Sequence, residues 1–448
     1  MSKFARRAFS LLPLTLACGV ISIRVAPHAY ASEDRVVSDA EQMISEGRRT
    51  FRFDTFGDQR FWGDTLRLHE VIEGAKFGGT GPGLSPAMAL ALGLKVDSQA
   101  LPQAVLQQLR AGRVDLNDSA TTLALLRLQA VVGLTGFFNS DGSLKSVGIQ
   151  CALCHSTVDN SFAPGIGVRL DGWANRDLNV GAIVALAPNL QPVATLLGTD
   201  VATVRRVLNA WGPGKFDAEL FLDGKGFRPD GKTAATLIPP AFGMAGVNLH
   251  TWTGWGSVTH WNAFVANLEM HGAGRFFDPR LNDATRFPIA AKNGFADLAH
   301  IDPNSDLITS KLPALQLYQL ALRAPKPRAG RDFDAAAAKR GDPLFSGKAR
   351  CNNCHVEPLW TEPGWNLHKP AEVCVDDFQA SRAPADAFAG SGYRTSPLAG
   401  LFTHQKGGFY HDGRFATLLD VVNHYNECLS LALSEQEKSD LIQYLLSL

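Results

Sequence analysis

The chain has 448 residues, of which 45% are hydrophobic and 19% are charged. This length is enough for two or three domains and a substantial core. The 43 basic and 43 acidic side chains give a formal net charge of zero, which argues against nucleic acid or an anionic membrane surface as an obligate partner.

The first 31 residues have the pattern of a cleaved export signal. A basic start precedes a mostly apolar stretch over residues 9–23, and Ala29-Tyr30-Ala31 places small side chains at the two positions that a signal peptidase reads. The apolar stretch is too short and too interrupted for a permanent membrane span, and no later apolar run approaches that length. We predict a signal peptide over residues 1–31, cleavage near Ala31, and a mature periplasmic protein without a membrane span.

Residues 32–145 are predicted to form an N-terminal helical segment. One helix begins near Pro102 and ends at Gly112, because proline favours the first turn of a helix and glycine favours its end. A second helix runs from Ser119 to about Val132. A turn at Asn139-Ser140-Asp141-Gly142 then leads into the next segment.

Two five-residue motifs determine the chemistry of the chain. Cys151-Ala152-Leu153-Cys154-His155 and Cys351-Asn352-Asn353-Cys354-His355 both read C-x-x-C-H. This spacing lets two thioethers reach one porphyrin and places the adjacent histidine beneath the iron. With seven cysteines and twelve histidines, chance expects about 0.003 such matches.

A zinc knuckle or a redox dithiol would leave the following histidine unexplained twice. We therefore predict two covalently bound c-type haems. The cofactor-binding residues are Cys151, Cys154, Cys351 and Cys354, and His155 and His355 bind the two irons.

The motifs divide the rest of the chain into two predicted haem domains. Residues 146–322 form the first cytochrome c-like domain, with a helix from Val201 to Trp211 that is capped by Thr199 or Asp200. Residues 323–333 form a linker rich in proline and glycine.

Residues 334–448 form the second cytochrome c domain. Asp334 caps its opening helix, and Ser434 and Glu437 make a capping box at the start of a closing helix that packs against the opening one. The predicted fold class is mainly α, with two cytochrome c-like haem domains and an N-terminal helical extension.

Cys374 and Cys428 are the two cysteines left outside the motifs and the signal peptide. In an exported protein such a pair favours a disulfide, although two unrelated thiols remain the alternative.

The second and third segments resemble the bacterial di-haem cytochrome c peroxidases, including the branch that matures methylamine dehydrogenase. The resemblance covers roughly residues 146–430, and its matching stretches are Gly347 to His355, Tyr393 to Leu398, Phe409 to Leu418, Val421 to Tyr425, Gly172 to Arg176, Trp252-Thr253-Gly254 and Glu269-Met270. The chain departs from the family where Thr253 replaces an aspartate.

This resemblance implies a peroxidase-like oxidoreductase. Hydrogen peroxide is reduced at the N-terminal haem, and a small redox protein supplies electrons through the C-terminal haem. Glu269 is the implied distal acid/base, and Trp252 is the implied electron relay between the haems. An ordinary surface glutamate and simple packing of an aromatic ring are the alternatives, and Trp255 and Trp261 compete with Trp252.

The axial ligands opposite His155 and His355 are less defined. For the first iron, the candidates are His271, which lies next to Glu269, and then His250, His260 and His69. For the second iron, the resemblance implies Tyr425, because the methylamine-dehydrogenase-maturing branch has tyrosine where the peroxidases have methionine. His411 and His424 are the alternatives.

The family also holds a calcium ion between its haem domains, which implies a calcium ion near Asn175, Thr395 and Pro397.

The N-terminal segment differs from the peroxidases. Its stretch Asp54-Thr55-Phe56-Gly57-Asp58, followed by Phe61-Trp62, resembles haem oxygenases that cleave rubber. A haem oxygenase acting on an organic substrate and a non-catalytic di-haem electron carrier are therefore the alternative functions.

Overall fold

A computed structural model of the chain describes residues 35–299, 301–384 and 391–448. The predicted signal peptide, with its cleavage position, lies outside these residues. The chain divides into two units, residues 1–41 and residues 42–448. In the first unit only residues 35–41 are described, and they are helical. All further description concerns the second unit.

Helices dominate the described residues, as predicted. The α-helices are α1 (Arg35–Phe53), α2 (Leu68–Glu73), α3 (Pro86–Ala91), α4 (Gln103–Arg110), α5 (Ser119–Arg127), α6 (Ala152–His155), α7 (Val180–Ala185), α8 (Gln191–Leu197), α9 (Val201–Trp211), α10 (Leu220–Asp223), α11 (Val258–Phe264), α12 (Pro288–Asn293), α13 (Leu312–Ala321), α14 (Ala335–Ser346), α15 (Phe378–Arg382), α16 (Leu418–Cys428) and α17 (Glu435–Leu446).

Tighter and wider helical turns also occur. Two turns in the described residues have π-helical hydrogen bonding, Arg60–Thr65 and Val265–Glu269. Short 3₁₀ turns lie at Ala75–Phe77, Ser98–Ala100, Pro279–Asn282, Pro303–Ser305, Thr309–Lys311, Cys351–Asn353, Pro370–Val373 and Leu401–Thr403.

Short strands form four two-stranded sheets in the described part of the chain. The strands are β1 (Val96–Asp97), β2 (Leu134–Phe138), β3 (Leu144–Ile149), β4 (Ser156–Val158), β5 (Ile166–Gly167), β6 (Arg169–Asp171), β7 (Lys215–Phe216) and β8 (Thr236–Leu237). β1 and β5 pair in parallel, whereas β2–β3, β4–β6 and β7–β8 are antiparallel.

The N-terminal segment is not purely helical. β2 and β3 form a hairpin immediately before the first motif, with Leu134 opposite Ile149, and the predicted turn at residues 139–142 connects the two strands. The second predicted helix ends at Arg127 instead of about Val132, because Gln129 adopts a left-handed conformation with φ of 53°. Leucine, threonine and phenylalanine in β2 favour a strand once the helix has ended.

One continuous apolar core spans the N-terminal segment and the segment after it. It joins Trp62, Leu66 and Leu126 to Leu153 of the first motif and to Leu208 of α9. The predicted boundary at residue 145 therefore falls inside a shared core, and the predicted segment limits stay a prediction.

The third segment has its own core, built where α14 and α17 cross. Phe345 of α14 packs with Leu441 and Leu445 of α17, and Gly341 lets the backbones approach because a side chain there would meet the carbonyl group of Asp440. This confirms the predicted packing of the closing helix against the opening helix.

The predicted helix caps are also formed. Asp334 accepts hydrogen bonds from the backbone N–H groups of Ala336 and Ala337, and the Ser434–Glu437 capping box is complete. Asp200, rather than Thr199, caps α9 through the N–H group of Thr203.

Cys374 and Cys428 form a disulfide, with their Cα atoms 6.0 Å apart. This confirms the pairing that the cysteine count favoured. None of the helices in the described residues has both the length and the apolar character that crossing a bilayer requires.

Candidate active site

The first C-x-x-C-H motif lies on the short helix α6, where the chain leaves the β2–β3 hairpin. The Nδ1 atom of His155 lies 3.1 Å from the backbone carbonyl oxygen of Pro239. A carbonyl oxygen can only accept, so Nδ1 carries the proton and Nε2 keeps the lone pair that a metal requires. Burial lowers the pKa of His155 to about 4, which keeps the ring neutral.

The residues after α6 fold back onto this motif. The N–H group of Gly172 donates to the carbonyl oxygen of His155, and the N–H group of Asn175 donates to that of Cys154, over 2.8 and 2.9 Å. Residues 172–176, where the sequence resembles the peroxidase family, therefore hold the backbone of the first motif.

The second motif begins with the 3₁₀ turn Cys351–Asn353. The Nδ1 atom of His355 lies 3.0 Å from the carbonyl oxygen of Trp360, so His355 has the same tautomer as His155. Burial lowers the pKa of His355 as well. The four motif cysteines are free and half-buried. Two free thiols and a histidine with a fixed Nε2 lone pair are the donor set that covalent haem attachment needs, so both sites fit a c-type haem.

Glu269 is the last residue of the π-helical turn Val265–Glu269. Its side chain is buried, and neither carboxylate oxygen has a hydrogen-bond partner. Burial raises the pKa of Glu269 well above its ordinary value, and the charges of Glu219 and Asp217 raise it further. The following residue, Met270, shares an apolar cluster with Ala152 and Cys151 of the first motif. Burial thus favours the protonated form of Glu269, and the residue that follows it packs against the first motif.

The N-terminal segment contacts residues 265–271, which we call the Glu269 loop. The ring of Phe61 stacks on His271 with centroids 3.6 Å apart, and the Nε1 atom of Trp62 donates to the carbonyl oxygen of Met270 over 2.9 Å. His271 has a positive φ of 59°, and its Nε2 atom is buried without a partner.

The other histidine candidates for the first iron are held by hydrogen bonds. His250 contacts the carbonyl oxygen of Val247, and His69 contacts that of Gly63, each over 3.1 Å. His260 bonds to Asp278 over 3.0 Å. Of the four, His271 alone has an Nε2 atom that is buried without a partner.

Trp252 lies where the second and third segments meet. Its Nε1 atom donates to the carbonyl oxygen of Leu237 over 2.8 Å, and its own carbonyl oxygen accepts from the N–H group of Arg394 over 2.9 Å. Trp255 and Trp261 instead pack on each other in a separate aromatic cluster.

Tyr425 lies on α16 and packs with Cys351 against the core of the third segment. Burial raises the pKa of Tyr425, the neighbouring Tyr410 hydroxyl lowers it, and both cysteines of the second motif lie near enough to raise it. The neighbouring His424 points elsewhere and contacts the carbonyl oxygen of Val373 over 2.8 Å. His411 stacks on Tyr393 with centroids 4.8 Å apart, and its Nε2 atom is buried without a partner.

The residues of the expected calcium site have other contacts. The amide nitrogen of Asn175 donates to the carbonyl oxygen of Gly93 over 3.0 Å, and the hydroxyl of Thr395 bonds to Glu362 and His368. The calcium ion stays a prediction.

The sequence did not reveal a buried charged group beside Glu269. We call it the Arg382 cluster, and its members are Asp217, Glu219, Asp223, Gln379 and Arg382. The Arg382 guanidinium bonds to Asp217 and Asp223 at 2.8 Å each, and all three side chains are fully buried. Gln379 and Arg382 come from α15, about 160 residues after the acidic members, so no local pattern could have identified the cluster.

Two further polar residues near the motifs were missed. Asp58 is fully buried and accepts from the N–H group of Ile149, and burial raises the pKa of Asp58 to about 9. His368 lies beside Cys354 and bonds to Glu362 over 2.7 Å. Asp58 does fall in the stretch that resembles rubber-cleaving oxygenases, whereas His368 has no motif around it.

Comparison with known proteins gives one curated relative. No family model matches the chain. The chain is 24% identical over 220 residues to the methylamine utilization protein MauG of Methylorubrum extorquens. The match covers 43% of this chain and 60% of that protein, so the chain spans about three fifths of the length of the relative that it matches.

Two solved structures are similar at low scores. A MauG-like protein associated with microbial copper homeostasis is 19% identical with a TM-score of 0.31, covering 52% of this chain and 79% of its own. Hydrazine synthase of Kuenenia stuttgartiensis is 18% identical with a TM-score of 0.28, covering 50% and 76%. At these scores neither structure defines the fold of this chain, and the sequence similarity to MauG is the informative comparison.

Proposed function

We propose that the chain is an exported di-haem c-type cytochrome that reduces hydrogen peroxide at the first haem with electrons relayed from the second. The observation that carries the catalytic part of this proposal is Glu269. It is a buried carboxyl group without a partner, on a loop that packs against the first motif. The similarity to MauG supports a di-haem protein with oxidative chemistry.

His155 and His355 would bind the two irons through Nε2, and the four motif cysteines would form the thioethers. Bound haem supplies one-electron redox chemistry and a coordination position where peroxide is held. The hydrogen bonds to Pro239 and Trp360 fix the orientation of the two rings and make their Nε2 atoms stronger metal ligands.

Glu269 moves the proton that peroxide cleavage requires. Its carboxylate takes a proton from one oxygen of hydrogen peroxide and returns it to the other, which leaves as water. A carboxyl group in water ionises near pH 4, whereas burial raises the pKa of Glu269, so its carboxylate is a stronger base for the proton that it takes from the peroxide. Two aromatic side chains of the N-terminal segment, Phe61 and Trp62, contact the residues that follow Glu269.

Trp252 and Tyr425 have proposed roles in electron transfer. Trp252 joins the two haem segments through Leu237 and Arg394, which suits a relay between them. Tyr425 is proposed as the sixth ligand of the second haem. A phenolate is an anionic donor, so it lowers the reduction potential of the iron and favours its oxidised states.

The predicted signal peptide supports export to the periplasm, where a small redox protein would donate the electrons. The test uses the purified holoprotein, with optical and electron-spin spectra recorded for the oxidised and half-reduced states, before and after peroxide. We expect one high-spin haem that reacts with peroxide and one low-spin haem. Two permanently low-spin haems that peroxide leaves unchanged would identify a non-catalytic electron carrier instead.

One observation favours a second candidate, a haem oxygenase acting on an organic substrate. The N-terminal stretch that resembles rubber-cleaving oxygenases supplies Phe61 and Trp62 to the Glu269 loop. These two aromatic rings add apolar surface beside Glu269 that an organic substrate could contact. Oxygen binding by the reduced holoprotein, with oxygen uptake tied to loss of an organic substrate and no peroxide turnover, would favour this function.

A further inference from the structure

The Arg382 cluster contains more acid than its guanidinium can pair. Arg382 donates to Asp217 and Asp223, and its remaining nitrogen Nη1 donates to the carbonyl oxygen of Ala234 over 3.2 Å. The third acid, Glu219, has no bond to Arg382. Oε1 of Glu219 accepts from the amide of Gln379 over 3.0 Å, and Oε2 is buried without a partner.

A buried carboxylate oxygen without a donor is costly in its ionised form, whereas a protonated carboxyl group avoids that cost. Only 5% of the Glu219 residue surface is exposed. Glu219 is therefore arranged to hold a proton, while the amide of Gln379 and the positive charge of Arg382 stabilise the anion that remains when the proton leaves.

The chain segment that carries Glu219 faces the Glu269 loop. Glu219 immediately precedes α10, and the ring centroid of Phe221 in that helix lies 5.6 Å from that of His271. Leu222 of the same helix shares an apolar core with Leu268. The charges of Glu219 and Asp217 act on Glu269, so the two glutamates lie within electrostatic reach of each other inside the protein.

We propose that Glu219 is an internal proton store that recharges Glu269 during turnover. This inference rests on the proposed function. Reduction of hydrogen peroxide to two water molecules takes two electrons, which the redox-protein donor supplies through the haems, and two protons. Glu269 first moves a proton of the peroxide to the oxygen that leaves as water, so both additional protons are needed by the oxygen that stays behind. In each transfer an O–H bond of Glu219 breaks and one forms on the Glu269 carboxylate, which then gives the proton to that remaining oxygen. The Glu219 anion then takes a proton from solvent, so two transfers complete the reaction.

The groups that face Glu219 set the pH at which it works. Burial raises the pKa of Glu219 most, Arg382 and Gln379 lower it, and Asp217 and Asp223 raise it, which together give a pKa of about 7. Below about pH 7 Glu219 is protonated and can donate, and above this pH it is ionised and cannot. Turnover should therefore fall as the pH rises through 7.

The test compares the wild-type holoprotein with Glu219→Gln. Infrared difference spectra of the wild type should contain a protonated carboxyl band that disappears as the pH rises through 7, and Glu219→Gln should lack it. Peroxide turnover by the variant should fall by about 10²-fold and lose its inflection near pH 7. Glu435→Gln, at a glutamate whose side chain is 81% exposed, is the matched control and should behave as the wild type.

A second variant separates proton storage from simple packing. Gln379→Leu keeps the side-chain size but removes the N–H donor to Glu219. The anion of Glu219 is then less stable, so the carboxyl band and the turnover inflection should both move to higher pH. A purely structural role of Glu219 predicts no such movement.

The possible results distinguish this inference from the proposed function. A wild-type profile in Glu219→Gln, or a carboxyl band that the substitution leaves in place, overturns the proton store even if Glu269→Gln abolishes turnover. If the band titrates near pH 7 and is lost in Glu219→Gln, but the wild type does not consume peroxide, the proposed function is wrong and Glu219 still stands as a titrating store.

Discussion

The Nδ1 atom of His155 lies 3.1 Å from the carbonyl oxygen of Pro239. This contact joins the first motif to the residues at the end of β8, which also contact two other parts of the protein. Two residues earlier, the N–H group of Leu237 donates to the carbonyl oxygen of His411, and its carbonyl oxygen accepts from Trp252. Leu237 and Pro239, which are separated by one residue, thus contact the first-motif histidine, the candidate relay and the third segment.

Replacing Trp252 by phenylalanine should slow electron transfer between the haems. The substitution removes the indole and its bond to Leu237 but leaves the bonds of Leu237 and Pro239 to His411 and His155. We expect unchanged haem spectra and slower re-reduction of the first haem after peroxide, measured by stopped-flow absorbance. Trp365→Phe, at an exposed tryptophan, is the control. Equal rates of re-reduction in the two variants would indicate that Trp252 only packs and is not an electron relay.

Cys351→Ala or Cys354→Ala should leave one covalently bound haem per chain and a largely unfolded third segment, because haem forms a large part of so small a core. Intact mass measurement gives the haem count, and circular dichroism gives the loss of helix. A wild-type mass with fewer than two haems would contradict both this prediction and the di-haem assignment.

Glu269→Gln should keep both haem spectra and lose peroxide turnover by about 10² to 10⁴, the usual cost of losing a general acid/base. Glutamine preserves the shape of the side chain but cannot exchange the proton. Turnover is measured by peroxide consumption with a reduced donor. An unchanged rate would make His271, whose Nε2 atom also lacks a partner, the next candidate.

Tyr425→Phe should change the low-spin spectrum of one haem and leave the other unchanged, because it removes the proposed phenolate ligand. His424→Ala is the matched control on the same helix, since His424 contacts the carbonyl oxygen of Val373. Electron-spin spectra of the oxidised variants decide the matter. The tyrosine assignment is wrong if the spectrum stays the same in Tyr425→Phe but changes in His424→Ala or His411→Ala.

Asp58 should make the protein less stable as the pH rises. Burial raises its pKa from 3.8 to about 9, so between these values the folded state keeps a proton that the unfolded state has lost. The contribution of Asp58 to the free energy of unfolding is largest below pH 4. It decreases by at most about 1.4 kcal/mol per pH unit as the pH rises to 9. Urea unfolding of Asp58→Asn at several pH values should show a flatter pH dependence than the wild type; equal slopes would refute the shift.

The sequence predicted those features whose chemistry lies in a few adjacent residues. The Asp334 cap and the Ser434–Glu437 capping box are of this kind, and so is the turn at residues 139–142. It did not predict the β2–β3 hairpin around that turn, because five- and six-residue strands compete with helical patterns of the same apolar content. It also missed the Arg382 cluster, whose members meet only after the third segment has packed on the second.

The burial of Arg382 has a consequence for how the chain assembles. Before α15 docks, Asp217 and Asp223 have no cation to neutralise them, and removing one partner of a buried ion pair typically costs about 3–5 kcal/mol. The second segment is therefore incomplete until the third has been synthesised and has packed on it. A chain truncated at residue 323 would lack Arg382 and should therefore be degraded rather than accumulate.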